Sequence, residues 1–160
     1  MCSTGDCVMF RLRALLLPLG VALSLSAPVG AETATSADGY QIHYNAIPTA
    51  TLNPEIASEF KILRSKRRGM LNVGVRGPSE QGMGAPTRAR IEVEALTPPS
   101  TETTRVPMRE ITIPERGTVH YVGEFPIEEE QVMVFRIAVT PEGSDQTTEV
   151  ELEQQFFTED

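Results

Sequence analysis

Two histidines and one dense run of cations are the residues best suited to chemistry in this 160-residue chain. His43 and His120 are its histidines, and histidine is the side chain that changes charge nearest neutral pH. Neither makes a metal site visible. Zinc takes three or four ligands from cysteine, histidine and carboxylate, and no such ligand lies at close spacing to either. Nor does either have a visible nucleophile. The serines fall in loops and linkers, without a G-x-S-x-G elbow. A Ser-His-acid set can assemble from distant residues, so a hydrolase-type enzyme around His43 or His120 is kept as an alternative. The expectation is no catalytic residue, no metal and no cofactor.

The cations are Lys61, Arg64, Lys66, Arg67 and Arg68. They stand out in a chain of net charge −8. Between Ile137 and Asp160 there is no basic residue, while Glu142, Asp145, Glu149, Glu151, Glu153, Glu159 and Asp160 are acidic. Such polarity suits contact with an acidic partner, for example phosphate-bearing cell-envelope material. The plainer alternatives are a solvated loop, or a loop that pairs with the domain's own acidic strand. Nucleic acid is excluded as a partner by the overall negative charge. Glu128-Glu129-Glu130 lacks the D-x-D-x-D-G spacing of a calcium loop and reads as a solvated turn.

The address of the protein is written at its start. Arg11 and Arg13 precede an apolar run from Ala14 to Ala27, and Val29, Gly30 and Ala31 follow. Positive, apolar, then small is the layout of a cleaved secretory signal peptide, here residues 1–31. The run is too short for a span of about 20 apolar residues, so no stable membrane anchor is expected after cleavage. Cys2 and Cys7 lie upstream of the cut. The exported chain is therefore expected to be periplasmic and to fold without a disulfide.

The elements that must position these residues are mostly strands. Residues 32–38 are small and polar and read as a disordered leader. From Gly39 the apolar period is two. Tyr40, Ile42 and Tyr44 alternate with polar residues until Pro48, which lacks the amide donor a ladder needs. Asn53-Pro54-Glu55 is a helix start, with Asn53 as cap and Pro54 in the first turn. This predicts one short helix near residues 54–61, with Ile56, Phe60 and Leu63 on one face. Six more strands follow at 70–76, 87–96, 105–113, 118–125, 131–140 and 147–157. Pro107 marks the fourth of the seven strands as an edge. In their strands His43 and His120 have the opposite parity to Tyr44 and Tyr121, and so belong on the polar face. Seven alternating strands without crossover helices predict an all-β, immunoglobulin-like antiparallel sandwich over residues 39–158.

Three short blocks carry a family resemblance: His43-Tyr44-Asn45-Ala46; Arg64-Ser65-Lys66 leading to Met70-Leu71-Asn72-Val73; and His120-Tyr121-Val122-Gly123-Glu124-Phe125. In order and spacing they resemble the exported gammaproteobacterial family called domain of unknown function 4426. The loops Gly77 to Pro86 and Pro98-Pro99 depart from its pattern. The resemblance implies an exported immunoglobulin-like β-sandwich and no assigned activity.

The leading reading is a non-enzymatic periplasmic binding or interaction domain, whose partner is an unidentified protein or envelope component. Its contact residues are Lys61, Arg64, Lys66, Arg67 and Arg68, with His43, Asn45, Asn72, His120 and Glu124 contributing from the polar face. A chaperone-like accessory that uses a sheet edge is the other alternative, through the first strand or the Pro107 strand.

Overall fold

The computed structural model describes residues 31–36, 38–80 and 82–158. The signal segment lies outside the described residues, apart from Ala31. Among them the chain forms β1 (Glu32–Thr35), β2 (Gln41–Pro48), α1 (Pro54–Glu59), β3 (Arg68–Arg76), β4 (Ala89–Leu96), β5 (Thr104–Arg105), β6 (Arg109–Ile113), β7 (Thr118–Pro126), β8 (Val132–Pro141) and β9 (Thr148–Gln155). One sheet has the order β1-β2-β3-β7-β6 and the other β5-β4-β8-β9. Every pairing is antiparallel. The expected all-β sandwich is the fold.

The period-two pattern fills the space between the sheets. Ile42, Leu71, Val73 and Val75 from the first sheet meet Val93, Phe135, Ile137, Val139 and Leu152 from the second, all nearly inaccessible to water. With no tryptophan, the bulk comes from three phenylalanines. The ring of Phe125 on β7 lies 4.8 Å from that of Phe135 on β8 and 5.6 Å from that of Phe156, just past β9. These tilted and edge-on contacts avoid the disfavoured face-to-face sandwich. Gly69 on β3 makes room for them. A β-carbon there would sit 2.3 Å from Cε2 of Phe125. Phe157 is half-exposed, because it follows Phe156 and points the other way.

Two departures from the sequence reading have clear causes. Glu32–Thr35 is not a disordered leader but an edge strand, with Glu32 opposite Tyr44 and Thr35 opposite Gln41. It has no apolar alternation to announce it; backbone pairing with β2 holds it. The first predicted strand is therefore interior and offers no edge. The predicted 105–113 strand is two strands in different sheets, β5 and β6, both at edges. Pro107, which cannot donate to a ladder, sits at the switch. Gly123 on β7 admits the crossing, since a β-carbon there would lie 2.5 Å from Sδ of Met108 and 2.7 Å from Cγ1 of Val106.

Helix α1 starts as predicted, with Asn53 Oδ1 accepting from the Glu55 amide at 2.7 Å. It ends earlier than the predicted span, at Glu59. The Ile62 amide returns to the Ala57 carbonyl at 2.8 Å, which forces Lys61 to φ +53. Ile56 and Leu63 are exposed. The residues that reach the sheet are Leu52, Phe60 and Ile62, which cover Met70 and Val122 on the outer face of the five-stranded sheet.

Gly69→Ala is expected to destabilise the domain by about 1–3 kcal/mol through overpacking against Phe125. Gly74→Ala, whose β-carbon would meet its nearest atoms at 4.0 Å, should be near neutral; urea midpoints compare the two. Lys61→Gly relieves a left-handed residue at a helix end and should raise stability by about 0.5–1 kcal/mol in the same measurement.

Candidate functional site

The outer face of the five-stranded sheet gathers the histidines. In the ladder His43 of β2 stands opposite Gly74 of β3. The β3–β7 register, Val73 opposite Tyr121, carries Gly74 on to His120, whose Nδ1 is 4.0 Å from where a Gly74 β-carbon would be. A residue without a side chain thus lies between two imidazoles. The result is a hollow of about 240 Å³, lined chiefly by His43, Asn72, Arg76, Met83, Thr118 and His120.

Each imidazole is held through one nitrogen. Nδ1 of His43 lies 2.9 Å from Oγ1 of Thr33 on the edge strand. Nδ1 of His120 lies 3.2 Å from Oδ1 of Asn72. Asn72 in turn donates from Nδ2 to Oδ1 of Asn45 at 3.2 Å. With the amide of Asn72 spent as donor, its oxygen accepts, so His120 carries its proton on Nδ1. Nε2 of His120 is then a lone pair. The ring of Phe60 lies 6.4 Å from that of His120, centre to centre. Burial, and secondarily the charge of Arg76, push the His120 pKa below its ordinary 6.5, which keeps the ring neutral.

The two buried side-chain polar atoms with no hydrogen-bond partner among the described residues are Nε2 of His43 and Oγ1 of Thr118. Both belong to residues lining this hollow. Buried polar atoms are nearly always satisfied, and exceptions call for a missing water, ion or ligand.

Of the polar-face residues singled out in the sequence, His43, Asn45, Asn72 and His120 come together here. Glu124 does not join them. It faces the same side of β7 but is clamped by Arg68 at 3.5 Å and Arg109 at 3.4 Å. The basic segment is elsewhere again, pinned by buried Thr49, whose Oγ1 donates to the carbonyls of Leu63 and Ser65. Arg64 donates from Nη2 to the Ala50 carbonyl at 2.8 Å. No described residue forms an ion pair with Lys61, Lys66 or Arg67. The acidic strand β9 does not fold against this segment; it lies in the other sheet, where Glu151 pairs with Arg136 at 3.4 Å.

Thr33, Arg76, Met83 and Thr118 were missed as site residues. Gly74 was the available signal, a glycine on the polar side of a strand whose other face is unbroken valine and leucine. A larger hollow of about 580 Å³ lies on the outer face of the four-stranded sheet, among Glu92, Glu94, Arg105, Arg136, Glu149 and Glu151. It is a shallow bed of mixed charges, without orphaned polar atoms.

The family model for domain of unknown function 4426 matches residues 34–159. The chain belongs to that family. The structure is similar to that of a DUF4426 family protein from Pseudomonas aeruginosa PAO1, with TM-score 0.66 and 22% identity over 82% of this chain and 98% of that one. It is also similar to a copper-bound variant of FetP from uropathogenic Escherichia coli, with TM-score 0.53 and 10% identity over 79% of this chain and 94% of that one. FetP isolated after expression in the periplasm of E. coli gives TM-score 0.53 and 11% identity over 79% and 93%. At these identities the likenesses establish the fold. No curated protein matches the chain.

His120 makes stability depend on pH. Its folded pKa is below the unfolded value of 6.5, so on acidification the unfolded state takes up the proton first. The contribution is complete above the unfolded value and is lost as pH falls through the lowered folded value. Wild type should therefore lose more stability than His120→Gln between about pH 7.5 and about pH 5, measured by urea midpoints. Equal losses would count against the lowered pKa.

Proposed function

We propose that this chain is a non-enzymatic binding domain of the periplasm, with the hollow between His43 and His120 as its ligand site. The observation that carries the reading is that two residues lining one hollow, His43 and Thr118, each have an orphaned buried polar atom, Nε2 and Oγ1. A ligand that paired with them would recover the desolvation cost both now carry.

The arrangement suits holding better than turnover. A hydrolase needs a base oriented by a third group. Thr33 is the hydroxyl beside His43, but no carboxylate is bonded to either histidine among the described residues. Asn72 and Asn45 fix His120 without supplying charge. The edge-accessory alternative is disfavoured at the strands it would use: the first is interior, and the edge strand β6 carries exposed Arg109, Glu110 and Thr112, where charge discourages strand addition.

The periplasmic location rests on the signal-peptide layout around Arg11, Arg13 and Ala31. FetP, of similar fold, was expressed in that compartment. Lys61, Lys66 and Arg67, unpaired among the described cations, form a second surface suited to an acidic envelope component.

Native mass spectrometry of protein released from the periplasm tests the reading. Wild type should carry a bound mass that the His43→Ala, His120→Ala double variant and Gly74→Val both lose. Neither p-nitrophenyl acetate nor p-nitrophenyl phosphate should be turned over. A wild type without adduct, or hydrolysis abolished by His120→Ala, would overturn it.

A further inference from the structure

We propose that the hollow is a binding site for monovalent copper, Cu(I), with Nε2 of His43, Nε2 of His120 and the thioether sulfur of Met83 as its ligands. The proposal rests on the reading of the hollow as a ligand site and names what the site takes.

Four observations converge on a soft cation. First, each histidine has Nδ1 engaged by a neutral oxygen, Thr33 Oγ1 at 2.9 Å and Asn72 Oδ1 at 3.2 Å. Metal-binding histidines characteristically have one nitrogen held this way and offer the other. Second, the donation of Asn72 to Asn45 makes Nε2 of His120 a lone pair, which repels an anion and welcomes a Lewis acid. Third, Nε2 of His43 is buried and has no partner among the described residues. Fourth, Met83 lines the same hollow and is 75% exposed, unlike Met70 and Met133, which are buried. A methionine kept out of the core beside two imidazoles is a thioether available for coordination.

The donor set decides the metal. Among the described residues no group of three or more His, Cys, Asp or Glu is placed to hold an ion, which leaves calcium, magnesium and a structural zinc without their usual ligands. Two imidazoles and one thioether are borderline and soft donors, the combination that favours Cu(I). Arg76 sharpens the choice. It lines the hollow while its Nη1 donates to the Gly84 carbonyl at 3.1 Å. Its positive charge opposes a dication twice as strongly as a monocation at the same distance.

The test is titration with Cu(I) under anaerobic conditions, in competition with bicinchoninate. The protein is purified from the periplasm, and its intact mass is checked for a start at Glu32, so that neither Cys2 nor Cys7 contributes a thiol. One equivalent of Cu(I) should bind, and copper X-ray absorption should show two nitrogens and one sulfur. His43→Ala and His120→Ala should each weaken binding by at least about ten-fold, and Asn72→Ala, which touches no metal, by about ten- to a hundred-fold. Met83→Leu should remove the sulfur signal, and this exposed loop residue carries no folding burden. Gly74→Val retains all three ligands and fills the space between them, so it should abolish binding with an unchanged thermal melt.

Failure to compete with bicinchoninate overturns the proposal. So does affinity unaltered in Met83→Leu and Gly74→Val, or an absorption spectrum without sulfur. If Cu(I) fails to bind while the native adduct still depends on His43 and His120, the metal assignment falls and the ligand site stands. If the adduct is independent of both histidines and Cu(I) also fails to bind, both readings fall.

Discussion

The contact on which the rest of this domain depends is the fit of Phe125 over the bare backbone of Gly69. The described chain has neither cysteine nor tryptophan. What ties its sheets together is the stack of Phe125 on Phe135 and Phe156, at 4.8 and 5.6 Å. That stack forms only because β3 has no β-carbon where Phe125 lies. Burying such rings is worth about 1.5–3 kcal/mol each by area alone, a large part of the 5–15 kcal/mol by which a domain of this size is typically stable. A disulfide would constrain the unfolded chain instead. Here the folded core has to supply the stability.

The same strands serve both faces. β3 turns Gly69, Leu71, Val73 and Val75 toward the core and Met70, Asn72, Gly74 and Arg76 outward. β7 turns Tyr121 and Phe125 inward and His120, Val122 and Glu124 outward. The floor of the hollow is therefore the back of the core, and its histidines stand on interior strands rather than on loops. Sites built on packed strands keep their geometry without a ligand. Tyr121 adds to this stiffness. Its hydroxyl accepts from the Ala89 amide at 2.8 Å and donates to Glu110 at 3.1 Å, joining β7 to both β4 and β6.

Much of this was legible in the sequence, for physical reasons that also explain the gaps. Alternation revealed the interior strands because burial of one face imposes a period of two. Pro48 and Asn53-Pro54 marked their boundaries because proline and the cap act locally. The parity of His43 and His120 placed them correctly away from the core. Other features depend on partners distant in the chain. β1 exists through the ladder it adds to β2, and its residues Glu-Thr-Ala-Thr have no pattern of their own. The break of the 105–113 segment at Pro107 needs Gly123, which lies on another strand. The hollow needs the registers of β2, β3 and β7 at once, so the histidines were visible while Gly74's role between them was not. Charge was grouped by sequence alone: Arg64 and Arg68 were read with Lys61, Lys66 and Arg67 as one contact surface, and in the fold one donates to a backbone carbonyl while the other holds Glu124.

The edge strand joins stability to the geometry of the candidate site. Thr33 lies on β1, opposite His43 in the ladder, and its hydroxyl is what holds Nδ1 of that ring. Closing the sheet edge and orienting the imidazole of His43 are thus done by one four-residue strand. It begins at Glu32. A chain cut at Ala31, where the sequence reading places cleavage, would keep β1 whole; a cut a few residues later would remove Thr33, uncover β2 and free the imidazole of His43 to turn. Both histidines line the hollow, and it is Thr33 of β1 that holds the first of them.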